Sequence, residues 1–464
     1  MAKPSAFRIL SVLTNLERKK LLTFLQTKFF SNRKELAPLQ RAWQRMQGKP
    51  MDEQKLFAAA HPTKQFNKRD WYLLLSRLQD ATEAFLGIQY YRTDKMQQQL
   101  NTLRALRRLK LPVFFERSLR QARKIRAKQH RAEANMLLWD YQTELAYYDF
   151  IASPKRGERT NLQAVTDKLD QFFIAEKLRQ VCLAHSRYLA NQEEYEIHYL
   201  DAILEDLENR PALFKVPAIT VYASCYQAVV VGGTEQDFLR LRKVMEHYRD
   251  AFPRNEIRDI YLLAINYCIR EMNAGKPTFM LETQALYQES LAGGYLLEDG
   301  YLPPSTFTNI VALGLKLANY KGVESFIDTY SNELPGPARE SVMNFNRARL
   351  FHAQEYYDQA LKALVLVDTK EPYLYLGAKS LQLRIFIELE EWDAVESLLE
   401  QLRVYLLRRD DLGYRGENYR LLLYFCRRLQ QLKPGDRSAK NDLRAELEAS
   451  ANFAEKTWLL NQLK

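Results

Sequence analysis

Apolar positions in this chain recur at spacings of three and four, the period of a helix with one buried face. The pattern is clearest from Asn344 to Tyr405, where it divides into two helix-turn-helix units. The first runs from Arg347 to Gln354, turns at Glu355-Tyr356, and resumes from Tyr357 through Ala360 and Leu364 to Val367, with Pro372 beyond. The second carries Leu383 and Phe386, turns near Glu390-Glu391, and resumes with Trp392, Val395, Leu399 and Leu402. Small residues let paired helices approach, an aromatic fills the wedge between them, and proline stops the second helix because it lacks an amide hydrogen. On that reading Ala348, Phe351, Tyr357, Ala360, Leu364, Pro372, Phe386, Trp392, Val395 and Leu399 are packing residues of the repeat.

The rest of the chain carries the same period between breaks. Residues 6–30 read as one or two helices, and Leu36–Met46 and Asp52–Ala60 as short ones. Asn67 caps a long helix through Trp71, Leu74, Leu78 and Phe85, which the pattern continues past Gly87 to about Leu109. Leu111-Pro112 reads as a sharp boundary. Beyond it the pattern predicts helices over 114–129, 135–151, 162–190, 193–208, 219–231 and 234–248, with 153–160 as a polar loop. Hairpins follow at 256–272 with 279–291 and at 305–318 with 323–331. At the end of the chain, Tyr419–Leu432 and a last helix bearing Trp458, Leu459, Leu460 and Leu463 read as a cap over the final apolar face.

Val323, Ala360 and Val395 fall at equivalent positions in successive second helices, 37 and 35 residues apart, and Pro335 and Pro372 close the first two units alike. No β-alternation competes with this pattern. Ala348, Phe351, Tyr357, Ala360, Leu364 and Pro372 together resemble the tetratricopeptide repeat. Asn344 stands at that family's early tryptophan position and Arg347 at the leucine before the small residue. The second unit has Leu383 where a small residue is preferred and Val395 in place of alanine. The resemblance implies a solenoid of α-α hairpins whose concave face holds peptides or protein segments, in a scaffold, adaptor or regulator rather than a catalyst. The expected fold is all-α: an N-terminal helical domain over residues 1–112, then a tetratricopeptide-repeat-like hairpin solenoid with C-terminal capping helices over 113–464.

Composition narrows the function classes. At 464 residues the chain is too long for one ordinary core, and 47% hydrophobic residues supply a substantial buried interior. Only 16 glycines favour helix throughout. Cys182, Cys225, Cys268 and Cys426 lie far apart with no C-x-x-C pair, which fits buried thiols in a reducing cytoplasm. The apolar run Ile9–Leu13 is too short for a signal peptide. No window approaches the roughly 18 apolar residues of a membrane span. Phosphate-binding glycine loops and the H-E-x-x-H metal motif are absent. Glu194 with His198, and Cys182 with His185, share helix faces on this reading, as a solvated pair and as a core histidine beside a buried thiol. No catalytic, cofactor or metal site is expected.

Charge adds one feature that the repeat does not explain. Residues 1–131 hold 29 Lys/Arg against 9 Asp/Glu, a net +20, while the remainder holds 39 against 48, a net −9. Arg117, Arg120, Lys124, Lys128 and Arg131 fall at helical spacing along a single stripe. Arg104, Arg107, Arg108 and Lys110 precede it, with Arg18-Lys19-Lys20 and Arg33-Lys34 earlier. Such a stripe is a solvated helix face or a surface that tracks phosphates. Three functions therefore stand: a non-enzymatic protein-interaction scaffold, a nucleic-acid-binding protein using residues 1–131, and a peptide-responsive regulator.

Overall fold

The computed structural model describes residues 4–28, 33–47, 50–128, 134–152, 159–191, 193–368, 371–409, 412–432, 435–450, 453 and 455–463. Among them the fold is all-α, with helices packed in adjacent pairs and no strand. Two compact units divide the chain, residues 1–223 with 250–252, and 224–249 with 253–464.

The first unit begins with α1 (Ser5–Val12), α2 (Asn15–Gln26), α3 (Leu36–Arg45), α4 (Glu53–Ala60) and α5 (Lys68–Thr93). Residues 6–30, read from sequence as one or two helices, form two, because Thr14 caps α2 through a reciprocal box with Glu17. Phe7, Leu10, Leu21, Leu36, Leu56, Trp71, Leu78 and Phe85 form their shared core, and Phe7 stacks on Trp43 at 5.7 Å. Next come α6 (Lys95–Arg108), α7 (Pro112–Ala127), α8 (Ala134–Ile151), α9 (Leu162–Asn191), α10 (Leu200–Asn209) and α11 (Pro217–Cys225), the last reaching the division between the units. Phe115 stacks on Phe150 at 4.0 Å, and the Trp139 indole donates to the Met96 carbonyl at 3.1 Å.

Four sequence expectations differ here. The long helix does not run unbroken to Leu109: it stops at Thr93, and the Asp94 side chain caps a new helix by accepting from the Gln97 amide at 2.8 Å. Leu111-Pro112 is the turn of the α6–α7 hairpin, inside the first unit, because proline at the first helical position starts a helix rather than ending a domain. Residues 193–197 are not helical, and the left-handed backbone of Tyr199 sets the start of α10 at Leu200. The helix expected over 219–231 ends as an α-helix at Cys225 and continues as a π-helical turn over Tyr226–Val230.

The second unit continues with α12 (Glu235–Tyr248), α13 (Arg254–Asn273), α14 (Phe279–Ala292), α15 (Pro304–Lys316), α16 (Tyr320–Tyr330), α17 (Gly336–Ala353), α18 (Tyr357–Val365), α19 (Pro372–Glu388), α20 (Trp392–Leu407), α21 (Gly413–Gln430), α22 (Arg437–Ala449) and α23 (Lys456–Gln462). Pairs 13–14, 15–16, 17–18 and 19–20 are hairpins. Their packing follows residue size. Ala348 and Ala360 are fully buried between α17 and α18, and a Cβ on Gly314 would overlap Val323 of α16. The end of the chain buries Phe425, Leu443, Leu447, Trp458 and Leu459 in one cluster with Leu399 and Leu402. Helix α22 within it was not expected, although Asp436 caps it and Leu443 and Leu447 mark its buried face.

One turn recurs in all four of these hairpins, with Gly275 at its left-handed position in the first and a non-glycine residue there in the other three. Ala318, Glu355 and Glu390 all have left-handed backbones, with φ of 51°, 64° and 58°. The amide of the following residue closes back five residues: Asn319 on the Gly314 carbonyl, Tyr356 on Phe351 and Glu391 on Phe386, at 2.8–2.9 Å. This closure satisfies a carbonyl that the helix end leaves unpaired. The three turns are spaced 37 and 35 residues apart, in register with Val323, Ala360 and Val395, all buried. The repeat is therefore a structural period as well as a sequence one. Lys110 makes the same turn in the first unit, with the Leu111 amide on the Leu106 carbonyl at 3.2 Å.

Candidate functional site

First helices of successive hairpins line a cleft of about 940 Å³ in the second unit, with α21 and the segment before α23 completing it. Helical spacing brings its residues onto shared faces. Thr308, Ala312 and Leu315 lie along α15, Phe345, Arg349 and His352 along α17, and Gly377, Ser380, Arg384 and Glu388 along α19. The hairpin period carries Thr308 to Phe345 to Ser380, and Ala312 to Arg349 to Arg384. Tyr320 and Tyr357, two residues after the left-handed turns, add aromatic wall. Gly377 has a packing reason: a Cβ there would lie 3.1 Å from the edge of the Phe345 ring.

Two arginines at equivalent positions have opposite surroundings. Arg384 donates to Glu388 at 3.1 Å and to Glu455 at 3.2 Å, and lies over the Trp458 ring at 5.3 Å. Glu388 also meets His352 Nε2 at 2.7 Å and accepts from the Trp458 indole at 2.7 Å. Burial raises the Glu388 pKa, but the bonds and charges of His352 and Arg384 outweigh it and hold it at about 2. That network is closed on itself.

Arg349 has no such partner. Its guanidinium lies over the Phe345 ring at 5.7 Å and donates from Nη1 to the Thr308 carbonyl at 3.2 Å. No carboxylate within salt-bridge distance of it is found among the described residues. It is closely surrounded by protein yet keeps partial access to solvent, and burial pushes its pKa below the ordinary guanidinium value.

In the first unit, α7 sorts its cations by face. Arg123 pairs with Glu144 at 3.2 Å and Arg126 with Asp140 at 2.9 Å, both on α8. Arg117, Arg120, Lys124 and Lys128 are exposed and make no ion pair among the described residues. Arg131 lies outside the described residues. Phe114, 56% exposed, stands at the head of the stripe. Arg18 belongs to the fold instead: it donates to the Leu10 and Ser11 carbonyls, both at 3.0 Å.

The remaining chemistry read from the sequence resolves into structure. Glu194 and His198 are not helix neighbours, since residues 193–197 are not helical, and His198 lies 3.7 Å from Glu196 instead. Cys182 is buried, with Sγ 3.8 Å from the Tyr222 carbonyl. Cys225 and Cys268 are buried thiols pushed up to about 12 by desolvation, and burial raises Cys426 further. Among the described residues, no group of three or more His, Cys, Asp or Glu could hold a metal ion, and no helix is long and apolar enough to cross a membrane.

Of the packing residues, Ala348, Ala360, Leu364, Val395 and Leu399 are buried, and Phe351 and Phe386 are half-buried against the core. Pro372 opens α19, and Tyr357 alone among them lines the cleft. Trp392 does not fill a wedge. It is 38% exposed as the first residue of α20, and Val395, Leu398, Leu399 and Leu402 take the inward face instead. Arg349, Arg384, His352 and Glu388 were missed as site residues; the 35-residue spacing of the two arginines was the one available signal. No family model, curated protein or solved structure matches this chain.

Proposed function

We propose that this protein is a non-enzymatic interaction scaffold or adaptor of tetratricopeptide-repeat-like type, whose second unit binds a segment of a partner protein. The observation that carries the reading is the cleft. First helices of successive hairpins supply hydrogen-bonding side chains, and Tyr320, Tyr357, Tyr373 and Tyr419 supply aromatic wall, to one open concavity near the top of the roughly 300–1,000 Å³ range of ligand pockets. Aromatic walls with scattered polar groups suit an extended peptide, which brings both side chains and main-chain amides. Selection of displayed random dodecapeptides on the full chain tests this. Enrichment of families that compete with one another for one site supports the reading, and failure to enrich any peptide overturns it.

The exposed, unpaired face of α7 favours a second reading for the first unit, binding of a nucleic-acid backbone. Four cations at helical spacing with Phe114 beside them match the needs of phosphate tracking and base stacking. Fluorescence anisotropy with a single-stranded oligonucleotide should show affinity that falls steeply with salt. Absence of binding at low salt would remove this reading.

A further inference from the structure

We infer that Arg349 is the anchor for a carboxylate carried by the polypeptide that occupies the cleft, an inference that rests on the peptide-binding reading above. Arg384 shows how this fold satisfies a guanidinium at the same repeat position: two carboxylates and an indole surround it. Arg349, 35 residues earlier, has the aromatic platform but no acid within salt-bridge distance, and the Glu455 charge reaches it only from beyond that range. One carbonyl uses one of its five donors, and enclosure by protein denies the rest the full hydration that an exposed arginine enjoys. A charge held this way gains more from an incoming anion than a surface arginine does.

The surroundings select a carboxylate on a peptide. The guanidinium lies over the Phe345 ring at 5.7 Å, and Gly377 leaves the room that ring needs, so one side of the fork is backed by the ring. A carboxylate matches that fork with two parallel hydrogen bonds. Of the carboxylates lining the cleft, Glu388 is held by His352, Arg384 and Trp458 and Glu455 by Arg384, and Glu355 makes no ion pair with Arg349 among the described residues. A second acid therefore finds one guanidinium still open. The carboxylate could come from an internal Asp or Glu or from a chain terminus, and both present the same group.

The test uses the full chain and two random dodecapeptide libraries, one with a free C-terminal carboxylate and one with that end fused. Enriched peptides are remade with the acid replaced by its amide (Glu→Gln, Asp→Asn, or a C-terminal amide) and titrated against wild type, Arg349→Gln and Arg349→Lys. The expected result is an acid at one constant position and at least a tenfold loss of affinity on removing it from the peptide. Arg349→Gln should lose the same factor and show no further loss with the amide peptide, and Arg349→Lys should fall between. Enrichment from the free-end library alone identifies a terminus, and enrichment from both an internal acid. Because the amide peptides are tested on wild type, instability of a variant does not spare the inference. Competing peptides that carry no acid, or that bind amide and acid forms alike, overturn the anchor while leaving peptide binding standing. Failure to enrich any peptide overturns both.

Discussion

On α7 the cations divide by helix face: Arg123 and Arg126 meet acids of α8, while Arg117, Arg120, Lys124 and Lys128 meet solvent. In the cleft the division is between repeats, with Arg384 saturated by acids and Arg349 left with a carbonyl and a ring. Water satisfies the unpaired cations of α7, so their energy comes from collective attraction that salt screens. Arg349 is one cation, but protein surrounds it, so a single matched partner counts for more and salt counts for less. The two regions thus suit different ligands, a repeated anion and a single placed one.

The largest separation between them comes from reversing the α7 face. Changing Arg117, Arg120, Lys124 and Lys128 together to Glu should lower oligonucleotide affinity at low salt by roughly a hundredfold or more, since each lost phosphate contact removes counterion release. Peptide binding in the cleft should be unchanged. Anisotropy and peptide titration on the same preparation read both, and equal losses would mean that the two sites are not distinct.

Next in size are substitutions in the hairpins and their network. Gly314→Ala forces a methyl onto Val323 and should destabilise by about 1–3 kcal/mol in chemical denaturation. Glu388→Gln should cost about 1.5–3 kcal/mol at neutral pH by weakening the charge-assisted bonds from His352 and Arg384. Its pH dependence is the sharper readout. The folded pKa of Glu388 is held at about 2, below the ordinary 4.5, so its contribution is complete above 4.5 and drains away as pH falls toward 2. Denaturation curves from pH 6 to 2 should show that loss in wild type and less of it in Glu388→Gln.

The smallest effects belong to the turns. Glu355→Gly and Glu390→Gly place glycine where the backbone is already left-handed, and each should stabilise by up to about 1 kcal/mol. A loss of stability there would mean that the glutamate side chains contribute more than the strain costs.

The hairpins of α15 through α20 were legible because their apolar spacing, prolines and 37- and 35-residue intervals are local signals. The break at Asp94 was not, because good helix formers lie on both sides and one capping side chain decides it. Trp392 was misplaced because an aromatic at a helix start looks alike in sequence whether it faces core or solvent. Within the cleft, Arg349 and Arg384 are indistinguishable as residue types. What separates them is Glu455, 71 residues beyond Arg384 and brought in by the helices at the end of the chain. Contacts of that range leave no trace in local pattern.

The central claim is that the first helices of the hairpins present most of the binding surface, with Tyr320 and Tyr357 added from the second helices, while the other packing residues build it. Hydrogen exchange of the full chain with and without a selected peptide tests this most directly. Added protection should concentrate in residues 304–316, 336–353 and 372–388. Protection confined to α16, α18 and α20, or to residues 1–223, would contradict it.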